Sequence, residues 1–507
     1  MPPRQPFQQN TPDPAARPLA EAATHHQAGR LQEAERLYRV AIGLVPRHAV
    51  ALHFLGALYL QDGKPEQALP LLQDALQQQP KNPAILNNLG VGLRVTGRIE
   101  DAAMRFQQAL AINPDYVSAL HGLGGALWAM GRGAEARTKL QRALQVEPGN
   151  AEVITDLGAL LYGEGKIGEA LEYCTRALTC APKHQKALWG MSLALLTLGE
   201  YREGWKLYES GLGDGDMRGP MQFAPLKPWD GNPAPGKHLL IWHEQGLGDS
   251  LQFIRYAELC KQRVGKVSVL CQKPLVRLFK ALPFIDNAYD ASQQGGSSFD
   301  DHVPMMSLPH RLDTVLETVP AAVPYLRVDP EIQVKWAAKF VGVAGLKVGL
   351  VWAGNSYEST VNANLIDRQR SVDLERMKPW LDLQGAQFYN LQMGKPADQI
   401  AALGLADRLT DFMGEVTDFT DTAAIVQNLD LVITVDTSVA HLAGGLGKPV
   451  WILSRYNADW RWLQNRPTNP WYPTARIFGQ PTMGDWDSVM TEVGRELANE
   501  IAKRRCG

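Results

Sequence analysis

Apolar residues in the first two-fifths of the chain recur at helical spacing, in paired segments separated by short turns. A glycine stands at each turn and recurs every 34 residues, and a proline and an alanine repeat at the same interval. Glycine suits a turn because it has no Cβ, and proline ends a helix because its ring cannot continue the hydrogen-bond ladder. The pattern predicts about six helical hairpins over residues 18–212. The marker residues are Gly29, Gly63, Gly97, Gly131, Gly165 and Gly199; Pro46, Pro80, Pro114, Pro148 and Pro182; and Ala34, Ala68, Ala102, Ala136 and Ala170.

This period and these marker residues resemble the tetratricopeptide repeat (TPR) family. One repeat alone cannot bury its apolar face, so the repeats are expected to stack, with leucines such as Leu55 and Leu89 in the seam. The last unit begins at Gln185, has Gly204 where alanine is usual, and is expected to cap the array. The resemblance implies a superhelical groove that binds another polypeptide.

The family register places aromatic and hydrogen-bonding side chains on the inner wall of that groove. Protein O-GlcNAc transferases carry an asparagine ladder there, which only Asn88 matches in full and Asp156 in part. The lysine clamp of chaperone-binding TPR proteins is missing. For each aromatic residue, simple packing between repeats is the alternative. The candidate acceptor-binding residues are Asn87, Asn88, His121, Trp128, Tyr162 and Trp189.

The helical period stops after residue 212. Glycine and proline accumulate over residues 213–236, which predicts a linker. Short apolar runs then alternate with helical patterns, which predicts an α/β doubly wound region with parallel strands. Two Rossmann-like lobes, 237–330 and 331–507, fit this length. The predicted strands are His238–Trp242, Lys266–Cys271, Lys347–Trp352, Gln387–Leu391, Leu429–Val435 and Pro449–Leu453.

Ligands of such folds bind at the carboxyl ends of strands, so the loops after them are candidate sites. The first such loop contains Gly246, Gly248 and Asp249. It is not a dinucleotide motif, because Leu251 occupies the place of the third glycine. The alternative is structural: Asp249 caps a helix and the glycines form a tight turn.

The second loop follows Lys347–Trp352 and contains Gly354 and Asn355, with Arg368 and Arg370 further on. Arginines in such a loop can neutralise a diphosphate through paired hydrogen bonds, although solvated surface arginines are an equal alternative. Lys395, after the Gln387–Leu391 strand, would add positive charge.

The third loop begins with Asp436 after a buried strand and opens a helix at Thr437 and Ser438. Free N–H groups at a helix start form an anion site, and His441 lies one turn further in. The small residues Ala443, Gly444, Gly445 and Gly447 allow close packing or close ligand approach.

These loops, above all DTSVAHLAGGLGKPVW and GLGDSLQF, resemble the heptosyltransferase-like family 9 of glycosyltransferases, which has the GT-B fold. The resemblance implies that Asp249 is the general base. It also implies that Asp436, Thr437, Ser438 and His441 bind a nucleotide-sugar donor. Gly246, Gly248, Asn355, Arg370 and Lys395 complete the candidate donor site. The segment Asp459–Trp462 stands out, but neither its pattern nor the resemblance gives it a chemical role.

Composition sets outer limits on the function. Hydrophobic residues make up 45% of the chain and charged residues 21%, and the formal charge is −2, so nucleic acid is not an expected partner. Residues 1–17 are rich in proline and glutamine and are expected to form a disordered tail, not a signal peptide. Five cysteines without C-x-x-C pairing favour a reducing compartment. With no long apolar run, a cytoplasmic protein without a membrane span is expected.

The combined expectation is an inverting glycosyltransferase that moves a sugar from a nucleotide donor to Ser or Thr of a protein held by the repeats, such as a flagellar or surface protein. The nucleotide sugar is a co-substrate, and no cofactor is expected. No D-x-D motif follows a strand, so metal-independent transfer is favoured. Two alternatives remain: transfer to an envelope saccharide, with the repeats recruiting partners, and a non-catalytic scaffold with a degenerate transferase domain.

Overall fold

The computed structural model describes residues 13–214, 217–219, 226–292, 298–354, 367–463, 466 and 468–506. Its chain divides into two compact units, Met1–Leu160 and Leu161–Gly507. The helices up to Tyr208 form successive hairpins, such as the first with the second and the third with the fourth. They are α1 Ala16–Gln27, α2 Leu31–Leu44, α3 Ala49–Gln61, α4 Pro65–Gln78, α5 Pro83–Val95, α6 Ile99–Ile112, α7 Val117–Ala129, α8 Gly133–Val146, α9 Ala151–Gly163, α10 Ile167–Cys180, α11 Gln185–Leu198 and α12 Tyr201–Tyr208.

The predicted helical repeats are confirmed, with the marker residues at the expected places. The six turn glycines all have φ between 68° and 86°, a region that residues with a Cβ rarely adopt. Helices α2, α4, α6, α8 and α10 each end two residues before the repeating proline. The repeating alanines are at most 1% exposed, which lets paired helices approach closely.

The remainder of the second unit contains two parallel sheets. The first sheet has the strand order β1-β5-β2-β3-β4, and all of its pairs are parallel. Its strands are β1 Lys227–Pro228, β2 Ala234–Trp242, β3 Val264–Leu270, β4 Asn287–Tyr289 and β5 Asp301–Pro304. The helices that accompany it are α13 Leu247–Phe253, α14 Tyr256–Lys261, α15 Val276–Lys280 and α16 Leu308–Arg311, whereas α17 Pro330–Ala337 packs against the helix Phe419–Gln427 of the second sheet.

The second sheet has the order β11-β10-β9-β6-β7-β8, again with parallel pairs throughout. Its strands are β6 Leu346–Val351, β7 Ala386–Asn390, β8 Thr410–Asp411, β9 Leu431–Val435, β10 Val450–Ser454 and β11 Ala475–Gly479. Its helices are α18 Lys378–Leu381, α19 Gln399–Ala402, α20 Phe419–Gln427, α21 Ser438–Gly445 and α22 Trp486–Cys506.

Helix α12 packs into the core of this parallel-sheet region. The buried Trp205 ring meets Trp460 edge-on at 5.1 Å and Phe253 at 5.6 Å. The Tyr201 hydroxyl accepts a hydrogen bond from Trp471 Nε1 at 3.0 Å. The final helices of the array therefore share one hydrophobic core with the parallel sheets.

Several bounds differ from those expected. Helix α1 begins at Ala16, inside the expected tail of residues 1–17. Strand β1 and the start of β2 lie within the expected linker of residues 213–236. Strands β1, β4, β5, β8 and β11 had no apolar run long enough to predict them, because they have two to five residues and several are polar.

Candidate functional site

The strand order of the second sheet locates its ligand crevice. Strands β7 and β8 lie on one side of β6, whereas β9, β10 and β11 lie on the other, so the chain changes direction between β6 and β9. This is the doubly wound order of nucleotide-binding sheets, whose ligands bind outside the carboxyl ends of the strands at that point. Strand β6 ends at Val351 and β9 at Val435, so the loops that follow these two strands line the crevice.

The loop after β9 carries Asp436 to Ser438, the predicted donor-binding segment. Thr437 occupies the N-cap position of α21, but its hydroxyl lies 3.0 Å from that of Thr434 and makes no hydrogen bond to the helix. The first N–H groups of α21 are therefore not capped by this side chain. Burial raises the pKa of Asp436 and Asp459 acts in the same direction, whereas Arg370 and Arg461 oppose it. Carboxylates and guanidinium groups therefore act on one another electrostatically around this loop, beside a helix start suited to an anion.

Arg370 reaches this crevice from the loop after β6. Its Nη1 donates to the carbonyl oxygen of Asp436 at 3.1 Å, and its Nε and Nη2 donate to Asp367 Oδ1 at 3.1 and 3.0 Å. A Cβ on Gly354 would lie 2.1 Å from Asp367 Oδ1, so a glycine is required where this pair crosses the end of β6. Arg368 is exposed.

Asp249 lies in the first turn of α13, after β2 of the other sheet. Its Oδ2 accepts a hydrogen bond from the Gly246 N–H at 3.0 Å. Gly246 is the N-cap of α13 and Asp249 its third residue, so Asp249 bonds the helix start from within the first turn and is not the N-cap that the structural alternative expects. Its Oδ1 pairs with Arg461, and the Asp249 side chain is 18% exposed. A Cβ on Gly248 would lie 2.9 Å from His441 Cδ2, so this glycine lets α13 approach α21. The loops of the two sheets thus meet at Asp249.

Arg461 is the residue that joins them. Its Nη2 donates to Asp249, and its Nη1 donates to Asp459 Oδ1 at 2.8 Å. Its guanidinium lies 4.1 Å from the centre of the Trp460 ring. Burial works to raise the pKa of Asp459, but Arg461 outweighs it and the pKa stays below its usual range. A single guanidinium therefore connects a carboxylate of the first sheet to one of the second.

His441, another predicted donor-binding residue, lies beneath the site. It is 4% exposed, its ring stacks on Trp462 at 5.1 Å, and its Nδ1 lies 2.9 Å from the Tyr472 hydroxyl. Burial lowers the pKa of His441 to about 3, so the imidazole is neutral near pH 7. It thus links α21 to Trp462, to the Tyr472 hydroxyl and to Gly248 of α13, and it brings no positive charge to the crevice.

Two further predicted donor residues are not part of this cluster. Asn355 lies outside the described residues. Lys395 is exposed at the start of a short 3-10 helix after β7, one strand away from the switch point. No hydrogen bond or ion pair joins it to Asp436 or Arg370 within the described part of the chain.

A second buried ion pair lies at the switch point of the first sheet, between β2 and β5. The fully buried Arg218 side chain donates to Glu244 Oε1 from Nε at 2.7 Å and from Nη2 at 2.5 Å. It also donates to Glu209 Oε1 at 2.7 Å and to Ser307 at 2.9 Å. Burial raises the pKa of Glu244 to about 7, with Arg218 acting in the opposite direction. Sequence analysis missed this pair because residues 26 apart showed no pattern.

Polar side chains of the helical repeats bond to each other across neighbouring repeats. Asn88 Nδ2 lies 2.9 Å from His53 Nε2, and His121 Nε2 lies 2.6 Å from Asp156 Oδ2, each pair being 35 residues apart. Asn87 is 6% exposed and donates to the Asn88 side chain at 3.2 Å. The predicted acceptor-binding residues Asn87, Asn88 and His121 are therefore engaged in structural contacts.

The three predicted aromatic residues differ in their surroundings. Trp128 is half-buried on α7. Trp189 packs on Tyr208 with ring centres 4.4 Å apart, as the packing alternative predicted. The Tyr162 hydroxyl lies 2.9 Å from that of Thr197. Burial raises the pKa of Tyr162 to about 12, and the negative charge of Asp459 acts in the same direction. Tyr162 therefore lies within electrostatic reach of Asp459 and Arg461.

Comparisons with known proteins bear on the repeats first. Family models described as tetratricopeptide repeat match residues 47–115 and 96–155. The chain contains tetratricopeptide repeats. Such repeats stack to present an extended binding surface, so the TPR region supports interaction with other proteins.

A curated relative extends the similarity beyond the TPR region. Protein FlbA of Caulobacter vibrioides is 28% identical over 338 residues, which cover 61% of this chain and 54% of FlbA. This chain thus spans about half the length of that relative. Because 61% of 507 residues is about 310, the alignment continues past residue 212 into the parallel-sheet region.

Solved structures show partial similarity. TTC0263, a TPR protein of Thermus thermophilus, has a TM-score of 0.33 and 24% identity, covering 36% of this chain and 99% of its own. The pilF protein of Pseudomonas aeruginosa has a TM-score of 0.34 and 20% identity, covering 39% and 90%.

Among the described residues, no helix is long and apolar enough to cross a membrane. Within the same residues no group of three or more His, Cys, Asp or Glu side chains is arranged to hold a metal ion.

Asp459 and Arg461 are the site residues that sequence analysis did not identify. Their segment was noticed for its composition, but the partner of Arg461 lies 212 residues away, and no spacing rule connects them. A signal was available in the alternation of charged residues with tryptophan in Asp459–Trp462, since a buried arginine often stacks on an aromatic ring.

Proposed function

We propose that this protein is a glycosyltransferase of the GT-B type, which transfers a sugar from a nucleotide donor to a hydroxyl of a protein bound by its TPR region. One observation carries the proposal. The carboxylate of Asp249, from the loop after β2 of the first sheet, pairs with Arg461 from the segment after β10 of the second sheet, and Arg370 binds the Asp436 backbone at the switch point of that second sheet. Two sheets of this kind facing one cleft are the arrangement that the resemblance to family 9 glycosyltransferases implies.

In this proposal the second sheet binds the donor. Arg370, Arg455 and Arg461 all act on the pKa of Asp436 and so lie around the loop after β9. Guanidinium groups and the N–H groups at the start of α21 stabilise negative charge on the leaving phosphate. A neutral His441 holds α21 against α13 and so keeps the two loops together.

Asp249 is the proposed general base. The oxygen of the acceptor hydroxyl attacks the anomeric carbon while its proton passes to Asp249. The bond between that carbon and the phosphate oxygen breaks, and its electron pair leaves with the nucleotide. Attack from the face opposite the leaving group inverts the configuration. Every atom comes from donor and acceptor, so no oxidant or further reactant is required.

A protein acceptor is favoured because the last repeat helices, α11 and α12, share a hydrophobic core with the parallel sheets, where Trp205 packs on Trp460, the neighbour of Arg461. A polypeptide held along this part of the repeats would therefore reach the cleft. The TPR region gives the general reason, since such repeats bind polypeptides.

The proposal is tested by donor hydrolysis and by intact mass. The purified protein is incubated with a panel of nucleotide sugars, nucleotide release is measured, and candidate acceptors co-expressed with it are weighed by mass spectrometry. Asp249→Asn is expected to lower turnover by about 100-fold or more, the range seen for loss of a general base. Asp382→Asn is the matched control, because it removes a carboxylate from another Arg–Asp pair, on the surface. Equal turnover in Asp249→Asn and wild type would remove the base from the mechanism.

A non-catalytic scaffold is the second candidate, and one contact favours it. Both Asp249 oxygens are already engaged, one with the Gly246 N–H and one with Arg461. A scaffold of this kind would bind nucleotide sugars without releasing nucleotide. Binding measured by a rise in melting temperature, with no turnover of any donor, would identify it.

A further inference from the structure

Arg461 belongs to the segment Asp459–Trp462, to which neither the sequence nor the proposed mechanism assigns a role of its own. The backbone around it is well anchored: Asn469 Nδ2 donates to the Arg461 carbonyl oxygen at 2.7 Å. Asn469 Oδ1 in turn accepts from the Trp471 and Tyr472 N–H groups at 2.8 and 3.1 Å. The guanidinium stacks on Trp460, and the side chain is 12% exposed. The fold therefore holds one arginine at a fixed position in the cleft.

The groups around this guanidinium come from both sides of the cleft. Asp249 is contributed by the first sheet, and Asp459 by the segment after β10. The pair adjoins the donor crevice, because a Cβ on Gly248, the neighbour of Asp249, would lie 3.6 Å from Ser438 Cα at the start of α21. A phosphate at the start of α21 would therefore bring negative charge towards a guanidinium that Asp249 already occupies. Two anions would then compete for one cation.

This competition matters for the proposed base. Oδ1 of Asp249 already accepts from Arg461 and Oδ2 from the Gly246 N–H, so both oxygens of the proposed base are engaged. When a phosphate engages the guanidinium instead, Oδ1 becomes available to an acceptor hydroxyl. The ion pair with Arg461 therefore occupies the proposed base when no phosphate is bound, and Asp249 can act as the base once a phosphate replaces it on the guanidinium.

We propose that Arg461 is a positioning residue that couples donor binding to the base: a bound phosphate draws its guanidinium away from Asp249. The inference rests on the proposed function and deepens it. Asp249 accepts the acceptor's proton only once a phosphate-bearing donor is in place. The recognised chemistry is a phosphate group, whichever nucleotide carries it.

The test is a double-mutant cycle on phosphate binding, which needs no catalysis. Inorganic pyrophosphate is titrated by calorimetry into the full-length wild type, Asp249→Asn, Arg461→Gln and the double variant. Removal of the competitor in Asp249→Asn is expected to tighten binding about fivefold, within the range of coupling between contacting residues. Arg461→Gln is expected to weaken binding. In the Arg461→Gln background, Asp249→Asn is expected to have no further effect.

Controls separate competition from general charge effects. Asp382→Asn removes one negative charge from a surface ion pair and is expected to leave pyrophosphate affinity unchanged. If Arg461→Gln does not fold, Arg461→Lys, which keeps the charge but loses the paired donors, takes its place. Thermal denaturation checks the fold of each variant.

Three results would overturn the inference: no pyrophosphate binding to wild type, an unchanged affinity in Asp249→Asn, or a tightening by Asp249→Asn that persists without Arg461. Failure of the proposed function is seen separately, as absence of nucleotide release from wild type with every nucleotide sugar. If the effects of the Asp249 and Arg461 substitutions on pyrophosphate affinity are non-additive but wild type turns over no nucleotide sugar, the coupling between the two residues is supported and the transferase function is refuted.

Discussion

Polar side chains form pairs in both the TPR region and the parallel-sheet region, but their partners come from different distances along the chain. In the repeats, His53 pairs with Asn88 and His121 with Asp156, each across 35 residues. In the parallel-sheet region, Arg370 reaches the Asp436 backbone across 66 residues, and Arg461 reaches Asp249 across 212. The first kind of pair repeats with the sequence period, whereas the second kind has no period.

The two kinds of pair also differ in burial, and so in energy. His121 and Asp156 have side chains 30% and 39% exposed, so water competes for their hydrogen bond. Arg218 and Glu244 are 0% and 1% exposed, so neither has a solvent partner to replace the other. Loss of one buried charged partner leaves the other unpaired in a medium of low dielectric constant. The repeats should therefore tolerate changes that the parallel-sheet region does not.

The largest effect is expected from Arg218→Met. This change leaves the buried Glu244 without its cation and Glu209 with Arg311 alone, and is expected to destabilise the second unit by about 3 kcal/mol or more. Arg132→Met in the repeats is the control, since Arg132 pairs with Glu135 on the surface. The urea midpoint of Arg132→Met is expected to match that of wild type. Similar urea midpoints for Arg218→Met and Arg132→Met would show that the buried ion pair stabilises the protein no more than the surface pair does.

An intermediate effect is expected for His441 and depends on pH. Burial lowers its pKa to about 3 in the folded protein, whereas an unfolded histidine titrates near 6.5. The unfolded chain therefore binds more protons between these values, and stability falls as pH falls through this window. From pH 7 to 5 the loss due to this residue is about 2 kcal/mol.

The measurement is urea unfolding of wild type and His441→Gln at several pH values. The glutamine variant should lose less stability than wild type on acidification. Tyr472→Phe removes the hydrogen-bond partner of His441 but keeps the buried imidazole, so its pH slope should match that of wild type. An equal slope in all three proteins would show that His441 is not held neutral by burial.

The smallest effect is expected in the repeats. Asn88→Ala removes the partially exposed hydrogen bond to His53 and the one that Asn88 accepts from Asn87, and is expected to cost about 1 kcal/mol. His53→Ala and the double variant complete a cycle in which the coupling between the two residues is measured by urea unfolding. A coupling energy as large as that of a buried ion pair would contradict the expectation that polar pairs contribute less to stability in the repeats than in the parallel-sheet region.

Much of the fold could be predicted from the sequence where elements are long and periodic. The six glycines predicted turns that the structure places at positive φ, and the strands at Lys347–Trp352 and Gln387–Leu391 lie within a residue of β6 and β7. Short strands such as β1 and β5 were missed, because two to four residues carry too little pattern and these are defined by their neighbours in the sheet. The candidate site was predicted in part: Asp249 and Asp436 were named, whereas Arg461 and Asp459 were not.

The sequence alone determined the repeats, because their period is local and every unit presents the same glycine turn and small alanine to its neighbours. It also determined which loops follow the buried strands. Only the tertiary structure decided that α12 packs among the tryptophans of the parallel-sheet region, and that His441 is buried and neutral. Only the tertiary structure brought Arg461 to Asp249. The physical reason is that an ion pair depends on distance in space, and residues 212 positions apart acquire that distance only when two sheets pack together.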